Sequence, residues 1–190
     1  MKLASFSIGN RCSYGVVTDE GVIDISQQPG APGNLRSALA KLTTEEIAAL
    51  TAGRLPDHEL GDIVYLPPIT DPKKILCIGV NYVNRNEEYD ETTLPQYPSV
   101  FIRTPGSLVG HLQPIIRPME SKQLDYEGEI AIIIGKAGRR IPQESAESYI
   151  AGLTVLQEGS VRDWMRHGKF NVTQGKNFER SGAIGPWLIT

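Results

Sequence analysis

The run Leu124-Asp125-Tyr126-Glu127-Gly128-Glu129, continued by Ile130-Ala131-Ile132-Ile133-Ile134-Gly135, constrains this chain more than any other stretch. Its second half is rich in branched apolar residues and closes on a glycine, which predicts a buried β-strand. Its first half puts acids at the strand's entrance. Side chains alternate along a strand, so Glu127 and Glu129 share one side, roughly 7 Å apart along the backbone. Two carboxylates at the mouth of an apolar strand repel each other and lose hydration. A divalent cation relieves both costs, and oxygen-only ligands suit a hard ion: Mg²⁺, Mn²⁺ or Ca²⁺. A solvated strand end with two surface acids fits the same pattern, so the pair alone leaves both readings open.

The rest of the composition narrows the setting. With 40% hydrophobic and 22% charged residues over 190 positions, the chain can build one substantial core, or a core with a small lobe. A net charge of −3 leaves no footprint for nucleic acid or an acidic membrane surface. Cys12 and Cys77 stand far apart, in no metal or redox spacing, and predict free thiols in a reducing compartment. No apolar run is long enough to span a bilayer. The N-terminus, Met1-Lys2-Leu3-Ala4-Ser5-Phe6, alternates like a strand and lacks a signal-peptide core. The expected setting is cytoplasmic, with neither nucleic acid nor membrane as a partner.

Taken in order, residues 1–26 predict a small β-meander with strands at Leu3–Ile8, Tyr14–Thr18 and Val22–Ile25, turned at Gly9-Asn10 and Asp19-Glu20-Gly21. Asn34 is placed to cap a helix through Leu42, and Thr43 or Thr44 a second one that stops at Gly53. Prolines 67, 68 and 72 break regular pairing and set a boundary between a small N-terminal domain, residues 1–70, and a second domain, residues 71–190. Lys74–Val80 predicts another buried strand, which delivers the polar residues 81–89. Ser99–Arg103 predicts a further strand. Ala146, Tyr149, Ile150 and Leu153 fall at helical spacing, and Leu153–Leu156 returns as a strand that delivers Glu158 at its C-terminal end. His58 and His111 are isolated loop histidines, more readily a surface residue and a bystander than ligands, and His167 lies in a basic loop; if the fold brings His111 or His167 near the acids, either is a candidate to activate water, as is Glu88.

Four motifs in this order resemble the fumarylacetoacetate hydrolase family, over about residues 72–190. Gly79-Val80-Asn81-Tyr82 is similar to its Gly-x-Asn-Tyr segment. Asp125-Tyr126-Glu127-Gly128-Glu129 is similar to its Asp-Tyr-Glu-x-Glu metal motif. Val155–Asp163 resembles its strand with a third metal acid that ends in Ala-Arg-Asp. Gly175-Lys176-Asn177-Phe178 with Gly185-Pro186-Trp187 resembles its Lys-x-Phe and Gly-Pro-Trp pair. The resemblance implies an α+β fold: a mixed β-sheet, β-roll-like core with a small N-terminal α+β lobe. The family's C-terminal Gly-Thr-Pro segment has no counterpart here, so the sheet is expected to be incomplete.

By the same resemblance, Glu127, Glu129 and Glu158 match the ligands of one divalent ion, Mg²⁺ or alternatively Mn²⁺ or Ca²⁺. Lys176 matches a lysine that faces substrate. The implied enzyme is a homodimer acting on a 2-oxo or 1,3-dicarbonyl acid. Two oxygens of such an acid can chelate a cation that acts as a Lewis acid and holds the enolate. C–C hydrolysis is the first expectation, with decarboxylation, isomerisation or hydration of 2-oxo diacids from aromatic catabolism next. A catalytically silent metal-binding relative is a third. The sequence departs from the family pattern in several places. Glu158 replaces the usual aspartate, and Met165 stands where a glutamine usually follows. The loop after Asn81-Tyr82 carries Arg85 and Glu88 where a histidine and a glutamate are usual. Arginine cannot accept a proton, so Arg85 is expected to pair with Glu88 as a lid or to clamp a substrate carboxylate.

Overall fold

The computed structural model describes residues 1–82, 97–168 and 171–190. Strands β1 (Lys2–Ile8), β2 (Arg11–Val17) and β3 (Val22–Asp24) form the expected antiparallel meander. Both faces of it are covered. Leu3, Tyr14 and Val16 pack with Ile25, Leu35, Ala38, Ile47 and Leu188 on one side. Ala4, Phe6 and Val17 pack with Val22, Ile63 and Tyr65 on the other. Each large apolar side chain buried this way contributes about 1.5–3 kcal/mol, so this is the main core among the described residues.

The helices that close the first face begin where the caps predict. Helix α1 (Leu35–Lys41) starts after Asn34, whose side chain accepts from the Ser37 amide at 2.9 Å. Helix α2 (Thr44–Thr51) starts with a reciprocal capping box between Thr43 and Glu46, which satisfies two donors that a helix start leaves open.

Strand β4 (Val64–Tyr65) pairs with β1. Past the prolines, β5 (Ile75–Gly79) and β6 (Ser99–Arg103) form a two-stranded antiparallel sheet. A 3₁₀ turn at Pro105–Ser107 leads into β7 (Leu108–Val109). Then come β8 (Leu124–Asp125), β9 (Gly128–Ile134), β10 (Ile150–Gln157), β11 (Ser160–Val161), helices α3 (Arg162–His167) and α4 (Thr173–Lys176), and β12 (Gly182–Ile189). The large sheet runs β3-β2-β1-β12-β10-β9, with β4 on β1 and β7 on β12. Because β1 pairs with β12, the meander of the first 70 residues and the strands that follow Pro72 share one sheet.

Three expectations need correction. Strand β9 forms, but it is not buried: Ile130, Ile132 and Ile134 are 65%, 54% and 64% exposed. They pair across the ladder with Val155, Leu153 and Ile150, also exposed. The branched run specified a strand but not its cover, and among the described residues no element lies on that face. Strand β5 is half-buried for the same reason, with Leu76 and Ile78 outward beside Ile102 and Val100. The expected helix around Ala146 to Leu153 is a 3₁₀ helix over Gln143–Tyr149, and Ile150 already begins β10. Pairing with β9 outweighs the helical spacing, as tertiary context commonly does.

Candidate metal centre

Strands β9 and β10 run antiparallel with Gly128 opposite Gln157. The start of β9 therefore lies beside the end of β10, and residues flanking these ends meet. The Glu158 amide donates to the Glu127 carbonyl at 2.8 Å. Glu127, Glu129 and Glu158 each direct one carboxylate oxygen into a space where all three lie within 4.8 Å of one another. Residues 31 positions apart in the chain are thus joined by one turn of a β-ladder.

Lys176, at the end of α4, is 2% exposed. Its Nζ donates to Glu127 Oε2 at 2.6 Å and to Glu158 Oε2 at 2.9 Å, and sits 5.2 Å from the centre of the Phe101 ring, a cation–π distance. Arg162 binds Glu127 Oε1 at 2.7 Å and Asp125 Oδ2 at 2.9 Å. Ser160 Oγ lies 2.8 Å from Glu127 Oε1 and 2.9 Å from the Glu158 carbonyl; its single proton serves one at a time.

These surroundings treat the acids differently. Burial pushes the Glu127 carboxyl up, but Lys176, Ser160 and Arg162 together outweigh it and leave it below its ordinary range. Glu129 goes the other way. Burial first, then the charges on Glu158 and Glu127, hold it above its ordinary range despite a hydrogen bond from Tyr82. Glu158 is buried, and its Oε1 has no hydrogen-bond partner among the described residues. The nearby Cys77 thiol, pushed up to about 12 by burial and by Glu158, is at most a weak donor. An orphaned buried carboxylate oxygen and an acid held against its charge are both costly. A hard cation among the three carboxylates would offset the repulsion felt by Glu129 and give the buried Glu158 carboxylate a second positive partner. The donor set of Glu127, Glu129 and Glu158 therefore fits a divalent ion.

Other expected site residues fall elsewhere. Arg85 and Glu88 lie outside the described residues. His111 packs edge-on against Tyr65, with ring centres 5.3 Å apart. His167 packs at a tilt against Trp164, with ring centres 5.0 Å apart. Neither belongs to the acid cluster. Met165 packs on Gly175, where even a Cβ would come within 2.3 Å of its Cγ. Sequence reasoning missed Ser160, Cys77, Phe101 and Arg103 as neighbours of the site. The available signals were weak: a small polar residue two positions after Glu158, and Cys77 and Arg103 at inward positions of β5 and β6.

Comparison with known proteins supplies independent findings. The model of the fumarylacetoacetate (FAA) hydrolase C-terminal family matches residues 74–190. The mitochondrial oxaloacetate tautomerase of Rattus norvegicus is 36% identical over 174 residues, 90% of this chain and 55% of that protein. The oxaloacetate tautomerase of Bacillus subtilis (strain 168) is 32% identical over 212 residues, 100% of this chain and 69% of that one. A solved fumarylacetoacetate hydrolase from Exiguobacterium antarcticum superposes with a TM-score of 0.81 at 29% identity, covering all of this chain and 66% of that one. A probable 2-hydroxyhepta-2,4-diene-1,7-dioate isomerase from Mycobacterium abscessus gives a TM-score of 0.76 at 29% identity, covering 100% and 64%. The chain thus spans about half the length of the mammalian tautomerases it matches. No helix among the described residues is long and apolar enough to cross a membrane.

Proposed function

We propose, for a chain that belongs to the fumarylacetoacetate hydrolase family, that it moves a proton on a 2-oxo acid, as a divalent-metal-dependent tautomerase or isomerase. One observation carries this reading. Three carboxylates converge, and a buried lysine ammonium binds two of them. Removing a proton beside a 2-oxo group places negative charge on that oxygen. Lys176 Nζ is fixed by Glu127 and Glu158 where it can stabilise such charge, and it needs no reorganisation to do so. Arg162 and Ser160 hold Glu127 in place from the other side. When bound, a divalent ion supplies Lewis-acid polarisation of the substrate's oxygens. The exposed rings of Tyr82 and Tyr126 flank the same opening. The relatives named as tautomerases and isomerases support the same class of reaction.

C–C hydrolysis of a 1,3-dicarbonyl acid, the first expectation from the motifs, moves to second place. It needs a base to activate water, and among the described residues no histidine joins the cluster. Glu88, with Arg85 as clamp of a substrate carboxylate, would have to serve. The deciding experiment is a panel assayed with Mg²⁺ and Mn²⁺: enol-to-keto conversion of oxaloacetate against cleavage of acylpyruvates. Faster conversion of the enol supports the tautomerase. Cleavage of acylpyruvates alone supports the hydrolase. No turnover of either, with metal bound, identifies a silent relative.

A further inference from the structure

Arg103 ends β6 and is 3% exposed. Its Nε donates to Ser107 Oγ at 3.2 Å, Nη1 to the Gly159 carbonyl at 3.0 Å, and Nη2 to the Ser107 carbonyl at 3.4 Å and Ser181 Oγ at 3.3 Å. All four acceptors are neutral. Burying a guanidinium against neutral oxygens is expensive, and an apolar side chain would fill the same space without that cost. The charge is retained next to the acid cluster, whose Glu158 and Glu127 partly compensate it.

The position of the contacts shows what the fork holds. Gly159 directly follows Glu158. A Cβ on Gly159 would come within 1.7 Å of the Ser181 carbonyl oxygen, so the turn presses onto the backbone before β12. A Cβ on Gly182 would meet the Gln157 carbonyl at 2.6 Å and Arg103 Nη2 at 3.0 Å. On one side of Glu158 its own amide is tied to the Glu127 carbonyl. On the other side the Gly159 carbonyl is tied to Arg103. The peptide group before Glu158 is held by the neighbouring acid's backbone, the carbonyl of the one after it lies 2.9 Å from Ser160 Oγ, and the next peptide group, between Gly159 and Ser160, is held by the guanidinium.

We propose that Arg103 is a positioning residue that fixes the Glu158–Ser160 turn from behind and so places the third carboxylate of the acid cluster. The role rests on reading that cluster as a cation site. A planar fork spanning Ser107, Gly159 and Ser181 is a geometry that lysine cannot reproduce. Residues that orient metal ligands without touching the ion typically change affinity 10- to 100-fold when replaced.

The test is Mn²⁺ calorimetry without substrate, well below the melting temperature, on the wild type, Arg103→Lys, Arg103→Met and Ser181→Ala. Arg103→Lys keeps the charge and loses the fork, and it should weaken Mn²⁺ binding by about tenfold or more. Arg103→Met should weaken it at least as much. Ser181→Ala, which removes one tooth of the fork, should weaken it less. If Arg103→Met does not fold, the other two variants still decide. Wild-type affinity in Arg103→Lys, or tighter binding in Arg103→Met through relief of charge repulsion, overturns the positioning role while leaving the cation site standing. A wild-type protein that binds no divalent ion overturns both.

Discussion

Asp24 and Glu158 are both buried carboxylates, and the chain treats them in opposite ways. Asp24 Oδ1 accepts from Ser13 Oγ at 2.6 Å and from the Ser26 amide and hydroxyl at 2.9 and 2.8 Å. Its Oδ2 accepts from Arg11 at 3.0 Å, with His58 Nε2 at 3.6 Å. Burial pushes this carboxyl up, but the serines and Arg11 prevail and hold it below its ordinary range. Glu158 shares one lysine with Glu127 and leaves Oε1 unmatched beside two other acids. An acid that serves the fold is satisfied from within. One left open among like charges points to a ligand from outside.

That contrast can be broken by substitution. The largest effect belongs to Glu127→Gln, which should weaken Mg²⁺ binding by at least ~100-fold, since replacing even an outer-shell partner can cost that much. Asp24→Asn should leave it unchanged in the same calorimetric titration. Lys176→Met should lower kcat by about 10²–10³, the scale of losing one charge-stabilising donor. It should also tighten metal binding by a few-fold, because a cation beside two ligands opposes a second one. Loss of metal affinity in that variant would make the lysine part of the ligand scaffold instead.

Stability should separate the two regions in the other direction. Asp24→Asn should destabilise the fold by about 1–3 kcal/mol in urea melts, the penalty for mispairing a buried polar network. The folded Asp24 carboxyl is depressed, so its contribution is present above the ordinary carboxylate range and is lost as pH falls through the folded value. The variant should therefore show a flatter acid limb. Glu129 is raised instead, so its penalty grows as pH rises from the ordinary carboxylate range through the folded value. Glu129→Gln should give a small rise in Tm of the metal-free protein at neutral pH and none in acid, while weakening the ion. A fall in Tm at neutral pH would show Glu129 to be a structural acid like Asp24.

How much of this was legible in the sequence depends on how far apart the partners lie. The meander, both helix caps and the strand with its two acids are local patterns, and the structure contains them where the residues indicate. Glu158 and Lys176 enter as candidates only through motif order, because no local rule joins residue 127 to residue 176. The clamp of Arg103 on Gly159, 56 positions away, has no local signature beyond an arginine ending an apolar strand. Exposure of Ile130, Ile132 and Ile134 was illegible for a related reason: a branched run specifies extended backbone, while burial depends on what other elements lie against it.

The three acids joined by the β9–β10 ladder are expected to hold one divalent ion. The most direct measurement is a Mn²⁺ titration of the wild type and Glu158→Gln side by side. One ion per chain in the wild type, and its loss in the variant, is the predicted result. No saturable binding in the wild type, or the same binding in both proteins, would contradict it.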